Sequence, residues 1–193
     1  MPGGLYSPTA GDVLTAANAI DYWSKQVVII ATSGARPTAR EGMVIYETDT
    51  EAVCVYNGTA WVQITHEAAT VATSETEANT AYDDMATSGP AVTITTNTLA
   101  LVTVGAHNSS ATGGAAGYMS YAVSGATTIA AADSGAFVYQ AYANSAEGAG
   151  SKTSYLSGLT AGANVLTAKY KNARSAGTET FVYRHIAAVG LLV

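Results

Sequence analysis

The chain is short of most residues on which site chemistry is built. It has one cysteine, Cys54, in 193 residues, which excludes an internal disulfide and a cysteine-based zinc cage. Phenylalanine occurs twice, proline four times, and charged residues make up 11% of the chain. No apolar run approaches the roughly 20 residues of a membrane-spanning helix. The first residues carry neither a basic flank nor an apolar signal core. These absences predict a soluble chain with no membrane partner and no export signal. Basic residues are scarcest where acidic ones collect. Residues 1–84 hold eleven Asp and Glu against three Lys and Arg, whereas residues 85–193 hold three against five. Phosphate binding needs clustered Lys and Arg, so nucleic acid is not an expected partner.

Alternating apolar and polar residues, with Thr, Ser and Gly between them, fill the space those absences leave. Gly42–Ile64 is the clearest stretch. Met43–Tyr46 and Ala52–Tyr56 flank the polar Glu47–Glu51, a connection of hairpin length. Asn57-Gly58 then predicts a two-residue turn of type I′ into Trp61–Ile64. The stretch reads as a three-stranded antiparallel meander, too small to be stable alone. Val27–Ala31 is a β-branched run able to add a further strand, and Pro37 bars helix after it.

A Pro- and Gly-rich arm over residues 1–11 precedes the meander. Val13, Ala16 or Ala17, Ile20, Trp23 and Val27 recur at spacings of three and four, predicting a short N-terminal helix for which Thr15 is the N-cap candidate. Such a helix covers the meander, packing on either Trp61 or Val62 and Ile64, or pairs with a like helix.

Thr65–Ala81 is rich in Ala, Thr and Glu without a sustained period, and reads as a linker. A domain boundary is therefore expected near residue 80, between an N-terminal region (1–80) and a β-sandwich domain (81–193). Eight strands are expected in the latter: Ala91–Thr95, Leu99–Ala106, Tyr118–Ser124, Thr127–Ala131, Ala136–Tyr142, Thr153–Leu159, Asn164–Lys171 and Thr178–Val189. Gly148-Ala149-Gly150 reads as one of the turns between them. Eight antiparallel strands in that length suggest a jelly-roll-like sandwich, so the fold class is mainly β. Its core candidates are Val92, Ile94, Leu99, Leu101, Met119, Tyr121, Val123, Phe137, Tyr139, Val165, Leu166 and Phe181. Strands lined with Ala, Ser and Thr, surplus tyrosines and the apolar Ala187–Val193 run favour an oligomer over a lone thin sandwich.

No arrangement of residues spells an enzyme, a cofactor site or a metal site. His66, His107 and His185 are far apart and outside any HxH or HExxH spacing. Asp83 and Asp84 are adjacent and point opposite ways on an extended chain. Glu47, Asp49 and Glu51 alternate on a connection that reads as a solvated hairpin tip. Cys54, between Val53 and Val55, lacks a cationic neighbour and reads as a small buried residue. No GxSxG elbow or phosphate loop is present, and catalytic, cofactor-binding and metal residues are all expected to be none.

Three stretches resemble a known group of proteins. Ala10–Ala17 (AGDVLTAA), Gly42–Thr50 with Tyr56–Trp61 (GMVIYETDT and YNGTAW), and segments such as Met119–Ala126 and Gly177–Arg184 are similar to stretches of small bacteriophage virion structural proteins, of fibre-like, decoration or minor tail type. The resemblance implies a non-enzymatic virion structural protein, a homotrimer, compact because no long shaft is encoded. Its N-terminal region would attach to a major capsid or tail protein, as a decoration, head fibre or tail part, and its sandwich would project at the virion surface. The alternative is a host-surface binding module of a tail fibre or baseplate, whose sandwich would recognise glycan through exposed Tyr and Trp faces that stack on sugars.

Overall fold

A computed structural model describes residues 29–63, 65–111, 113–173 and 177–191. The expected arm and N-terminal helix lie outside the described residues, as does Ile64. The chain is mainly β and divides into two compact units, Met1–Ile64 and Thr65–Val193.

The first unit is a four-stranded sheet in the order β1 (Ile29–Ala31), β2 (Val44–Glu47), β3 (Ala52–Tyr56) and β4 (Trp61–Gln63). The meander is present, and the β-branched run before it adds β1 parallel to β2, with Ile29 opposite Ile45. Ile45 is fully buried and Cys54, its cross-strand partner, nearly so. The β3–β4 turn departs from the expected one. Asn57 N–H donates to the Ala60 carbonyl, and the Asn57 side-chain oxygen accepts from the N–H groups of Thr59 and Ala60. The central residues are thus Gly58-Thr59, and Gly58 takes the positive φ of 93° that only glycine adopts without cost. Trp61 and Val62 are both half-buried, and the Trp61 ring sits 5.4 Å from that of Tyr56.

The second unit is a two-sheet sandwich. One sheet runs β10 (Phe137–Gln140), β9 (Ala116–Gly125), β12 (Gly162–Asn172), β7 (Ala91–Thr96). The other runs β11 (Ala146–Ser157), β8 (Leu99–Ser110), β13 (Glu179–Leu191), β5 (Thr65–Val71), with β6 (Glu75–Glu77) also on β13. All these pairings are antiparallel.

The boundary expected near residue 80 is corrected to Ile64/Thr65. The stretch read as a linker is strand, because β13 offers a whole edge for backbone pairing from Arg184 to Gly190 and from Glu179 to Phe181. Such pairing asks nothing of side-chain hydrophobicity, which is why Ala, Thr and Glu suffice there. Thr127–Ala131, expected as a strand, makes only one bridge, Ile129 to Val123. The Thr127 N–H is taken by the Asn164 side chain, which also donates to Thr96, so the segment is held by a side chain and not by a ladder.

The core lies between the sheets. Val92, Ile94, Val102, Val104, Met119, Val123, Leu166, Tyr170, Phe181 and Ile186 are buried there, with Ala100, Ala106, Ala168 and Ala188 between them. Tyr170 and Phe181 meet edge to face at 5.2 Å. Tyr170 donates its hydroxyl to the Gly89 carbonyl at 2.7 Å, so a buried polar atom is satisfied. Leu101 and Val165, expected in the core, are corrected: alternation sets Ala100, Val102 and Val104 inward on β8 and Leu166 inward on β12. Leu99, Phe137 and Tyr139 are half-buried. Gly148 and Gly150, expected as a turn, lie within β11. A side chain at either would collide with the ring of Tyr139 or Phe137, so these glycines seat the rings of β10.

Two outcomes follow. Leu166→Ala should cost about 2–5 kcal/mol in denaturant unfolding, the range for emptying a fully buried leucine site. A chain starting at Thr65 should melt cooperatively, while one starting at residue 80 lacks both strands on that edge of β13. Its midpoint should fall by more than 10 °C on a differential scan, taking about 2–8 °C per kcal/mol for domains of this size range.

Candidate functional site

The two outer faces of the sandwich differ in kind. On the four-stranded sheet, β12 turns Lys169 and Lys171 outward. Lys169 pairs with Asp84 at 2.6 Å and Lys171 with Asp133 at 2.5 Å. Lys171 also lies 4.7 Å from the ring centres of both Tyr82 and Tyr118. Tyr82 donates to Asp133, and Ser120 donates to the Ala132 carbonyl, so residues around 132–133 are fastened onto this face. The Lys171 and Tyr82 bonds hold the Asp133 carboxyl below its usual range. This face is charged, paired and partly covered.

The outer face of the five-stranded sheet is the opposite. Strand register sets its side chains in rows. Ser157, Leu99 and Leu191 form one; Tyr155, Leu101, Val189 and His66 the next. Thr153, Thr103, Ala187 and Ala68 follow, the two threonine hydroxyls 2.8 Å apart. Ser151, Gly105, His185 and Thr70 form the fourth row, and Ala149 pairs with His107 in the fifth. No Lys, Arg, Asp or Glu stands in these rows. Tyr155 is 62% exposed and Leu101 38%.

At the fifth-row end the ladder between β13 and β8 shifts register between Val182 and His185. Tyr183 in that bulge has φ 51° and is 64% exposed. A bulky residue in the left-handed region costs energy, and here the bulge aims its ring into solvent. Beside it is an open hollow of about 580 Å³ lined by Ala106, His107, Ala149, Gly150, Ser151, Tyr183 and His185. Gly105 leaves the space into which the His185 ring falls, since a Cβ there would meet that ring. His107 and His185, remote in sequence, therefore share one hollow, and Glu147 stands 3.9 Å from His107 at its margin. His66 is on the same face two rows away. Among the described residues no group of three His, Cys, Asp or Glu is placed to hold a metal ion.

Within the sandwich, two buried polar groups stand out. Arg184 is fully buried, 3.1 Å from the Glu75 carboxylate and 5.3 Å from the centre of the Tyr170 ring. Burial alone would raise the Glu75 pKa, but the Thr87 hydroxyl and N–H and the Arg184 guanidinium hold it below the ordinary value. Glu179 has no such partner. Neither of its oxygens has a donor in full hydrogen-bonding geometry, Ser110 being the hydroxyl beside it, and the amide of Asn108, also fully buried, is unpaired. Both press on Gly117 of the opposite sheet, where a Cβ would meet Asn108, Glu179 and Phe181. Burial pushes the Glu179 carboxyl up to about 7, partly offset by the Ser110 hydroxyl.

The other candidates of the sequence are structural. Glu47, expected on a solvated tip, is corrected: it is fully buried, bound by Arg36 and by the Thr50 hydroxyl, which together hold its pKa down. Asp49 accepts from Ser33 N–H and hydroxyl, tying the β2–β3 turn to residue 33. Cys54 is buried, its Sγ 3.6 Å from Gln63 Oε1, and burial pushes its thiol up. Asp83 bridges Tyr170 through the backbone, and Asp84 serves Lys169. The exposed face with Leu101, Tyr155 and Tyr183 escaped sequence reasoning. Its one signal was parity: Val102 and Val104 inward require Leu101 outward.

No protein-family model and no curated protein matches the chain. Among solved structures it is similar to the Eiger TNF of S. frugiperda, at 13% identity and TM-score 0.42 over 67% of this chain and 92% of that one. It is similar to infectious bursal disease virus VP2 in a subviral particle, at 10% identity and TM-score 0.48 over 81% and 41%. A CBM22-1 xylan-binding domain from Paenibacillus barcinonensis Xyn10C matches at 13% identity and TM-score 0.31 over 80% and 100%. These values carry no family assignment.

Two measurements test the electrostatics. Glu179 has a folded pKa above its unfolded one, so the folded state binds the extra proton, and stability falls as pH rises from about 4.5 to about 7. Relative to the parent, Glu179→Gln should gain up to about 3 kcal/mol in unfolding free energy between pH 4 and pH 8, at 1.36 kcal/mol per unit. In the first unit, Arg36→Ala leaves Glu47 buried without its counter-charge. A loss of about 2 kcal/mol is expected by denaturant unfolding, below the fully buried range of about 3–5 kcal/mol because Arg36 itself is partly exposed.

Proposed function

We propose that this chain is a non-enzymatic structural component of a bacteriophage particle, a compact appendage held through its N-terminal region to a capsid or tail protein. The observation that carries the reading is the division of the chain. The stretch GMVIYETDT…YNGTAW, which resembles segments of phage virion proteins, forms its own compact sheet ahead of a separate β-sandwich. An attachment unit followed by a projecting unit is the build that the reading requires.

The sandwich is read here as a jelly roll. With β5 and β6 together counted first, its sheets run 6-3-8-1 and 5-4-7-2, each drawing strands alternately from early and late chain. That wiring is shared by many proteins of unrelated function, so the fold supports the reading without selecting it. The placement of the sandwich at the virion surface follows from attachment through the other unit.

Immunogold labelling of intact particles with antibody raised against residues 65–193 tests this. Regular label on heads or tails is the expected result. Particles that lack the chain by both labelling and peptide mass spectrometry would remove the reading.

A further inference from the structure

We propose that the outer face of the β11-β8-β13-β5 sheet is where copies of this chain associate with one another. The inference stands independently of the virion reading, because it rests on that face alone. Its first ground is exposure of large apolar groups in register: Tyr155 and Leu101 are neighbours on adjacent strands, with Val189 next in the row, and Tyr183 stands at the other end. Large apolar side chains exposed side by side, with small uncharged residues between them and Tyr183, mark a candidate interaction site.

The second ground is charge. The chain carries 14 acidic against 8 basic residues, a net charge of −6, yet none of those acids stands within the five rows, Glu147 lying at their margin. A face that meets its own copy brings residues of one surface against that same surface, where a cluster of like charges would repel. An uncharged face removes that repulsion, and it offers nothing for a charged partner to recognise. The opposite outer face, with its lysines paired and residues 132–133 fastened over it, has no such character.

Size and relief agree. Four strands at about 4.8 Å and some 12 residues at about 3.3 Å give roughly 700 Å², close to the ~800 Å² per partner of a stable interface. Tyr155 rises near one end of the face, and the 580 Å³ hollow floored by small residues lies near the other. A ring from one copy has a recess to enter on the next.

The test is the mass of the full chain in solution by sedimentation at micromolar concentration. Two chain masses are expected, because a face that meets itself closes about a two-fold axis, and a larger assembly that the variants below dissolve supports the same face. Leu101→Asp and Tyr155→Asp, at exposed positions, should give monomers, raising the dissociation constant at least about 100-fold, as for buried interface anchors. Far-UV circular dichroism and a cooperative melt establish that they fold. Thr103→Lys, also in the rows, serves if either does not. Tyr142→Asp, 88% exposed beyond the end of β10, should leave the assembly intact. A monomeric parent chain overturns the proposal, whether or not the face then takes a glycan. Folded variants that keep the parent's mass overturn it too, as does an equal loss in Tyr142→Asp.

Discussion

The sandwich depends on β13 being paired along both edges. From Glu179 to Leu191 this strand gives one edge to β8 and the other to β6 and then β5. It also carries Phe181, Arg184, Ile186 and Ala188 into the core, so its register fixes which residues face inward on three neighbours. Arg184 shows how strict that is. A fully buried guanidinium is tolerable only where Glu75, Tyr170 and Met85 converge on it. A slip of one residue would turn it outward and bring His185 inside.

Much of this architecture was legible where side chains report their own burial. Alternation located seven of the eight expected strands, because a strand with one face in a core must alternate. It failed where pairing is a backbone matter. β5 and β6 are edge elements whose side chains are mostly in solvent, so Ala, Thr and Glu carried no periodic signal. Gly148 and Gly150 failed for another reason. Glycine marks a turn when it supplies unusual backbone angles, but here it supplies room for aromatic rings. The first unit was read more closely, with the Asn57 turn displaced by one residue because the asparagine caps the loop with its side chain instead of joining it.

The candidate face was legible only in outline. Surplus tyrosines suggested that some outer surface is covered, but which one depends on register, which brings together Tyr155 of β11, Leu101 of β8 and Val189 of β13. His107 and His185 could be placed in one hollow only once the bulge and the Gly105 gap were known. Glu179 gave no sign of burial at all: its neighbours Thr178 and Thr180 read as an ordinary polar strand start, and the cost of burying it is visible only against Asn108 and Gly117.

The position of β13 between the first and third strands of the sandwich has a kinetic side. Its partner β5 lies more than a hundred residues away in the chain, so closing that sheet means closing a very long loop. Topologies dominated by such pairings fold on the millisecond-to-second scale. On a ribosome, β5 and β8 must emerge and wait with open edges until the last strand has been made. The decisive step of sandwich assembly therefore waits for β13, and crowding by sister chains during that interval is the hazard this fold has to survive.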